Sequence, residues 1–254
     1  VLGAGAVGVE FASVFKRFGS DVTIIELLDR LVPIEDAETS AELQKAFRKR
    51  GIKVMTSTKF ESTTVNAKDV TINFTGADGK AGTINADTLL VAIGRRPVTD
   101  GLGLENTKCE IDRGYIQVDE FMRTAEPNVY AIGDVVPTPW LAHVASKEGC
   151  LAAEHIAGRN PRPINYNLVP NCTYCEPEIG SVGLTEAKAK EKGYEIKVGK
   201  FPFSALGKAM ILGETEGFVK VIADAKYDEV LGVHLIGPHA TDLLAEACVA
   251  MGLE

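Results

Sequence analysis

The sequence is short of several things, and each shortage narrows what it can be. No run of about 18 apolar residues occurs in it, so no membrane-spanning helix is expected. Positive charge is not in excess: 27 Lys and Arg stand against 35 Asp and Glu, a net charge of −8. That balance argues against nucleic acid as a partner, because such affinity rests on neutralising phosphates. No secretory n-region and h-region stand at the start. Residue 1 is Val rather than Met, so this says nothing of a segment upstream. Cysteine is sparse and irregular: Cys109, Cys150, Cys172, Cys175 and Cys248. An odd number without regular spacing does not build a secreted disulfide framework, and a reduced compartment, cytoplasm or organelle matrix, is expected. Cys172-x-x-Cys175 has the spacing of a redox pair or half a zinc site. No second C-x-x-C or H-x-x-x-H completes a metal set, so no metal site is expected. Residues three apart on a strand point to opposite faces, which argues against a working disulfide.

What is present is a well-mixed globular composition, 45% hydrophobic and 24% charged over 254 residues. That supplies one large core or two to three small ones and argues against extended disorder. Val1 and Leu2 read as the end of a buried strand. Gly8 to Phe18 reads as a helix with Val9, Ala12, Val14 and Phe15 as its apolar surface, closed by Gly19. Val22 to Glu26 is a β-branched run, Ala37 to Arg50 a second helix ended by Gly51, and Ile52 to Met55 a third strand. This β-α-β-α-β order predicts a parallel sheet. Val70, Ile72 and Phe74 then alternate with polar residues before "TGADGK", which predicts a half-exposed hairpin. "ADTLLVAIG" and "EPNVYAIGD" read as two further strands, the first of them buried, and Leu141 to Ala157 as a helix capped by Gly158. "GRNPRPINYN" is polar and proline-rich and marks a domain boundary. Beyond it, "EGFVKVIAD" and "EVLGVHLIG" predict antiparallel strands flanked by helices at Glu186–Lys192 and Ala240–Met251, an α+β arrangement.

Gly3, Gly5 and Gly8 form G-x-G-x-x-G between a strand and a helix. The first glycine permits a tight turn, the second lets a pyrophosphate approach the backbone, and the third lets helix and strand pack closely. The helix start then offers N–H groups and partial positive charge to phosphates. Glu26 ends the next strand, about 20 residues on, where an acid accepts the ribose hydroxyls of a dinucleotide. Its charge disfavours a 2′-phosphate, so NAD is expected in preference to NADP. Arg30 lies too far along to reverse that choice.

Three further stretches carry a family resemblance. "VAIGRRP" (91–97), "TAEPNVYAIGD" (124–134) and "WLAHVASKEG" (140–149) resemble the return strand, second flavin motif and following helix of the pyridine nucleotide–disulfide oxidoreductases. "IIELLDRLVPIEDAE", "PEIGSVGLTE", "GETEGFVKVIAD" and "LGVHLIGPHATDLLAEA" are similar to the dihydrolipoamide dehydrogenase branch of that family. The resemblance covers essentially the whole sequence. It implies a Rossmann-like NAD-binding domain (1–96), a return segment of an FAD-binding domain (97–158) and an α+β dimerisation domain (159–254). The cofactors it implies are FAD and NAD.

In such enzymes two electrons pass from dihydrolipoamide to an enzyme disulfide, then to FAD, then as hydride to NAD⁺. Homodimerisation is expected, with the dihydrolipoyl groups of a 2-oxo acid dehydrogenase or glycine cleavage complex as partner. The family's C-x-x-x-x-C redox pair and its C-terminal His and Glu are not among these residues, so no catalytic side chain is expected here. The chain therefore reads as an internal piece of a longer enzyme. The family has Val- or Thr-like residues, not its sulfurs, where Cys172 and Cys175 stand. Other NAD-linked flavin disulfide reductases, of mercuric reductase-like or transhydrogenase-like type, and a non-catalytic nucleotide-binding module are the competing readings.

The resemblance also assigns residues. Gly3, Ala4, Gly5, Ala6, Val7, Gly8, Val9 and Glu10 form the NAD turn and helix start, with Glu10 near the nicotinamide. Phe60 contacts adenine through its backbone, and Gly94 lets the backbone approach the nicotinamide side. Gly133 and Asp134 hold the flavin's ribityl chain, Asp134 as a buried carboxylate. Trp140, Leu141, Ala142 and His143 begin a helix whose N–H groups face the flavin edge that gains negative charge. A helix dipole stabilises such charge by about 0.3–1 kcal/mol, and up to about 2 when partly buried.

Overall fold

The computed structural model describes residues 1–253. They form two compact units: Val1–Gly94 together with the stretch from Pro170 onward, and Arg95–Val169.

In the first unit, α1 (Ala6–Arg17) leaves the glycine turn directly, with Gly5 as its N-cap and Lys16 and Arg17 complementing the dipole in its last turn. Its buried face is Gly8, Val9, Ala12 and Ser13. Val14 and Phe15, read with Val9 and Ala12 as the helix's apolar surface, are 43% and 40% exposed. Helical spacing explains this: residues 8, 9, 12 and 13 share one side, while 14 and 15 fall with Val7, Phe11 and Phe18 on the other. β1 (Thr23–Ile25) pairs in parallel with β2 (Lys53–Met55). Leu2 bridges Ile25 on one side and Val91 on the other, both in parallel. α2 (Ala37–Lys49) is N-capped by Asp36, whose side chain accepts from the Glu38 amide. The expected hairpin is two-thirds of a larger unit, the antiparallel sheet β3 (Lys59–Val65), β4 (Val70–Thr75) and β5 (Ala81–Ala86).

The buried strand expected over "ADTLLVAIG" does not form. A single bridge at Val91 remains, and Val91 and Ile93 are largely exposed. The ladder beside this stretch consists of the Leu2 N–H donating to the Leu90 carbonyl and the Ala92 N–H donating to the Leu2 carbonyl.

In the second unit, β6 (Ile111–Asp112) and β7 (Tyr115–Ile116) make a tight hairpin, and α3 spans Ala142–Ile156. The strand expected over "EPNVYAIGD" is also reduced to one bridge, Tyr130 to Arg123. Positive φ at Met122 and Asn128 (68° and 65°) bends both partners out of extended geometry, so the pairing stops.

The chain then returns to the first unit as β8 (Asn171–Thr173), β9 (Glu178–Gly183), α4 (Glu186–Glu191), β10 (Ile196–Pro202), α5 (Gly207–Leu212), β11 (Phe218–Asp224), β12 (Val230–Gly237) and α6 (Ala240–Leu253). The five strands lie in the order β10-β11-β12-β9-β8, all antiparallel. Leu43 and Phe47 of α2 pack on Phe218, Ile236 and Ile179 on one face. Ala240 and Leu244 of α6 pack on Val182, Val233 and Leu235 on the other. β12 is therefore buried along both faces, whereas β11 alternates between buried and half-buried residues. Each large side chain fully buried here contributes roughly 1.5–3 kcal/mol. Among the described residues no helix is long and apolar enough to cross a membrane.

Candidate functional site

The glycine turn is built as its spacing requires. Gly3 has φ +95°, and a Cβ there would lie 2.4 Å from the Ala92 carbonyl oxygen. A Cβ on Gly8 would lie 2.1 Å from the Gly3 carbonyl oxygen. At Gly5 an added Cβ would meet nothing within 4 Å. The space beside Gly5 is therefore open, at a helix start that no side chain caps and where no acidic residue stands in the first turn. An anionic pyrophosphate fits that cradle by charge and by shape.

Glu26 is 9% exposed and lies one residue beyond β1. Its carboxylate accepts from the Ala4 amide at 2.6 Å and the Leu28 amide at 2.8 Å. The acid that spacing assigned to a ribose is thus also the brace of the turn itself. Each carboxylate oxygen keeps a further acceptor position after these bonds, so two ribose hydroxyls can still be received. Arg30 is turned away, donating to the Pro33 carbonyl at 2.9 Å.

Ala4 is fully buried and Val9 packs in the core beneath the turn, while Ala6 and Val7 lie at its outer rim. Glu10, one turn along α1, accepts from the Tyr174 amide at 2.8 Å, which joins the helix to the segment after β8. Phe60 sits on β3 with its ring half-buried against Leu2, Ile25 and Ile72, so its side chain has a packing role as well as any backbone role. Gly94 closes the first unit with φ +121° and is exposed.

In the second unit, Gly133 and Asp134 form a 3₁₀ turn, not a strand end. Asp134, expected to be buried, has a side chain 52% exposed and pairs with Arg95 at 3.1 Å. With one bridge at Tyr130 and a 3₁₀ turn after Ile132, the carboxylate lies on the surface of the described residues. The Arg95 guanidinium also lies 5.1 Å from the centre of the Trp140 ring, which leans on Tyr115. Leu141 is the N-cap of α3 and offers no side-chain cap to it, and Ala142 and His143 open the helix on its exposed side. A surface carboxylate beside a helix start that lacks a side-chain cap fits a polyol chain and an anionic ring edge, the two features a flavin nucleotide presents.

One residue of this region escaped sequence reasoning. Glu148 is fully buried. It accepts from the Gly133 amide at 2.7 Å and from the Tyr166 hydroxyl at 2.9 Å. Burial and this bond to Glu148 hold the Tyr166 phenol well above its ordinary pKa. The signal was available: Val144, Glu148, Leu151 and Ala152 recur at helical spacing, so a lone acid stands on the buried face.

Cys172 and Cys175 point into different cores. Cys172 packs half-buried beside α6, whereas Cys175 lies in the α2 core and donates its thiol to the Pro177 carbonyl at 3.1 Å. Burial pushes both thiols above the ordinary value. Among the described residues no group of three His, Cys, Asp or Glu could hold a metal ion.

A parallel β-α-β glycine turn with a strand-end acid defines a dinucleotide-binding protein. Comparison with known proteins narrows that class. Residues 1–149 match the family described as pyridine nucleotide-disulphide oxidoreductase, and residues 169–254 match its dimerisation domain. The chain belongs to that family. It is 47% identical to the dihydrolipoyl dehydrogenase of Bacillus subtilis over 100% of this chain and 54% of that protein. It is 45% identical to the mitochondrial dihydrolipoyl dehydrogenase of Caenorhabditis elegans, over 99% of this chain and 51% of that one. Among solved structures, LpdA from Mycobacterium tuberculosis matches with a TM-score of 0.90 at 29% identity, covering 99% of this chain and 54% of that one. The HOCl-induced flavoprotein disulfide reductase RclA of Escherichia coli matches at 0.88 and 28%, covering 98% and 57%. The chain spans about half the length of the curated relatives it matches.

Proposed function

We propose that this chain carries the NAD site, part of the FAD site and the dimerisation surface of a dihydrolipoyl dehydrogenase. The observation that carries this reading is the buried Glu26 carboxylate locked to the glycine turn through Ala4, at the strand end where a dinucleotide ribose is received. Gly3, Gly5 and Gly8 shape the pyrophosphate cradle, with the amides of α1 as donors. Glu26 accepts the adenosine ribose hydroxyls and repels a 2′-phosphate. Glu10 and Gly94 border the nicotinamide end, and Phe60 the adenine. Gly133, Asp134 and the α3 start from Trp140 to His143 hold the ribityl chain and one ring edge of FAD. FAD, when bound, supplies two-electron exchange between a dithiol and NAD⁺.

The substrate on this reading is dihydrolipoamide, presented by a 2-oxo acid dehydrogenase or glycine cleavage complex, and the assembly is a homodimer in cytoplasm or organelle matrix. Similarity to named dihydrolipoyl dehydrogenases at 45–47% identity supports the substrate. The match of residues 169–254 to a dimerisation domain supports the homodimer. The protein is tested at its full natural length with dihydrolipoamide and NAD⁺. Steady NADH formation, with little when NADP⁺ replaces NAD⁺, is expected. A flavin-free protein, or one that ignores dihydrolipoamide, overturns the reading.

A further inference from the structure

A row of polar side chains crosses the five-stranded sheet where an apolar row would be ordinary. Asn171, Ser181, His234, Lys220 and Lys200 are successive cross-strand partners from β8 to β10. The row lies two residues along from Ile179, Ile236 and Phe218, so it shares the face that α2 covers. Above it stand the residues that lead into α2. The Lys220 ammonium is 1% exposed and lies 2.9 Å from Asp36, 2.8 Å from Glu38 and 2.8 Å from Glu186. Lys200 completes Glu38 at 2.7 Å and Lys190 completes Glu186 at 2.6 Å. Three cations thus balance three carboxylates. Asn171 donates to Glu35 at 2.6 Å, and the Glu186 amide donates to Asp36 at 3.2 Å.

The segment so held reaches the dinucleotide turn in two further bonds. The Glu35 amide donates to the Val32 carbonyl at 2.9 Å, and the Val32 amide donates to the Ala4 carbonyl at 2.8 Å. Val32 is 1% exposed and has φ +38°. A β-branched residue in that region is strained and persists only where its surroundings over-determine it. Ala4 is therefore braced from both sides, by Glu26 through its amide and by Val32 through its carbonyl.

We propose that Lys220, through Asp36 and Glu38, is a positioning residue for nucleotide binding: together with Asn171, which holds Glu35, the polar row of the dimerisation sheet holds Val32 against Ala4 and so sets the adenosine side of the dinucleotide turn. This rests on the reading of the turn as an NAD site and adds a determinant of its affinity that lies in the dimerisation sheet. The segment from Leu27 to Glu35 follows Glu26, the ribose acceptor, so the effect belongs to the ADP-ribose half of the cofactor.

The test measures binding of ADP-ribose and of reduced nicotinamide mononucleotide to the protein at its full natural length, before and after Lys220→Met, well below the melting temperature. ADP-ribose is expected to bind about tenfold more weakly after the substitution, since loss of one partner leaves buried charge uncompensated. Nicotinamide mononucleotide is expected to bind unchanged. Weaker binding of both, the mark of a general loosening of the fold, would overturn the proposal. Glu38→Gln leaves Lys220 bonded to Asp36 and Glu186, and carries the test if Lys220→Met does not fold. A loss of about threefold, confined again to ADP-ribose, is expected, in line with one partly exposed charge-assisted bond. Equal ADP-ribose binding by the variants overturns the proposal and leaves the NAD site standing. Failure of the unsubstituted protein to bind ADP-ribose overturns both.

Discussion

Two buried carboxylates hold the two glycine turns of this molecule, and they are arranged differently. In the first unit Glu26 braces Ala4 and Leu28 and is also the acid assigned to the nucleotide. In the second, Glu148 braces Gly133 and Tyr166, while the acid assigned to the ligand, Asp134, is on the surface with Arg95. Brace and ligand group are one residue in the first case and two in the second. Substitution of Glu26 therefore cannot separate folding from binding, whereas Glu148 and Asp134 should separate them.

The largest effect is expected from the turn itself. Gly3→Val demands positive φ of a β-branched residue and drives its Cβ into the Ala92 carbonyl. We expect NADH binding to vanish in a fluorescence titration and stability to fall by roughly 3 kcal/mol or more. Retained binding would mean the turn adapts in a way the geometry does not allow.

Next come the braces. Glu148→Leu strands the Gly133 amide and the Tyr166 hydroxyl, and Glu26→Leu strands the amides of Ala4 and Leu28. Each is expected to cost about 2–4 kcal/mol in denaturant unfolding, from two groups left unpaired. Only Glu26→Leu should abolish nucleotide binding. A Glu148 variant of normal stability would break the comparison.

An intermediate effect is expected from acid on the first unit. Burial raises the pKa of Asp36, but bonds from Lys220, Glu186 and Glu38 outweigh it and hold it low. Glu38 is held low chiefly by Lys200 and then Lys220, and Glu186 by Lys190 and then Lys220. Stability from such carboxylates is complete above their unfolded values, about 4, and is lost as pH falls through the lower folded ones. His234 is held low by burial. It stays neutral while the unfolded imidazole takes a proton, so it costs stability as pH falls below about 6.5. Glu35, raised by burial, acts in the opposite sense and is relieved on protonation. The urea midpoint should therefore fall in two stages on acidification, and His234→Gln should remove the upper one. A midpoint flat from pH 7 to 4 would contradict this.

The smallest effect on stability is expected at Asp134. Its pair with Arg95 is half exposed on both sides, so Asp134→Asn should cost less than about 1 kcal/mol. Flavin content after purification should nonetheless drop. A large stability loss with flavin retained would reverse the roles given to Asp134 and Glu148.

These two turns also show what the sequence could and could not disclose. G-x-G-x-x-G and Glu26 lie within one local β-α-β unit, so spacing alone placed them, together with α1, α2 and the parallel pair. The antiparallel pair around "EGFVKVIAD" was equally legible from β-branched runs broken by turn residues. The readings that failed depended on long-range neighbours. "ADTLLVAIG" and "EPNVYAIGD" have the composition of strands, but each finds a single bridge. Hydrophobicity groups Val14 and Phe15 with Val9 and Ala12 as one apolar surface, but helical phase turns the first two outward. Glu148 was legible as a lone acid on the buried face of α3, but its partners were not, and the Lys220 row was missed because a charge in the sequence does not reveal which partners neutralise it when buried.

The central claim is that Glu26 closes a site for NAD. It is tested most directly by titrating the protein at its full natural length with NADH and with NADPH, following nucleotide fluorescence. The expected result is NADH binding at least about tenfold more tightly, a difference of about 1.4 kcal/mol or more. Equal affinities, or tighter binding of NADPH, would contradict it.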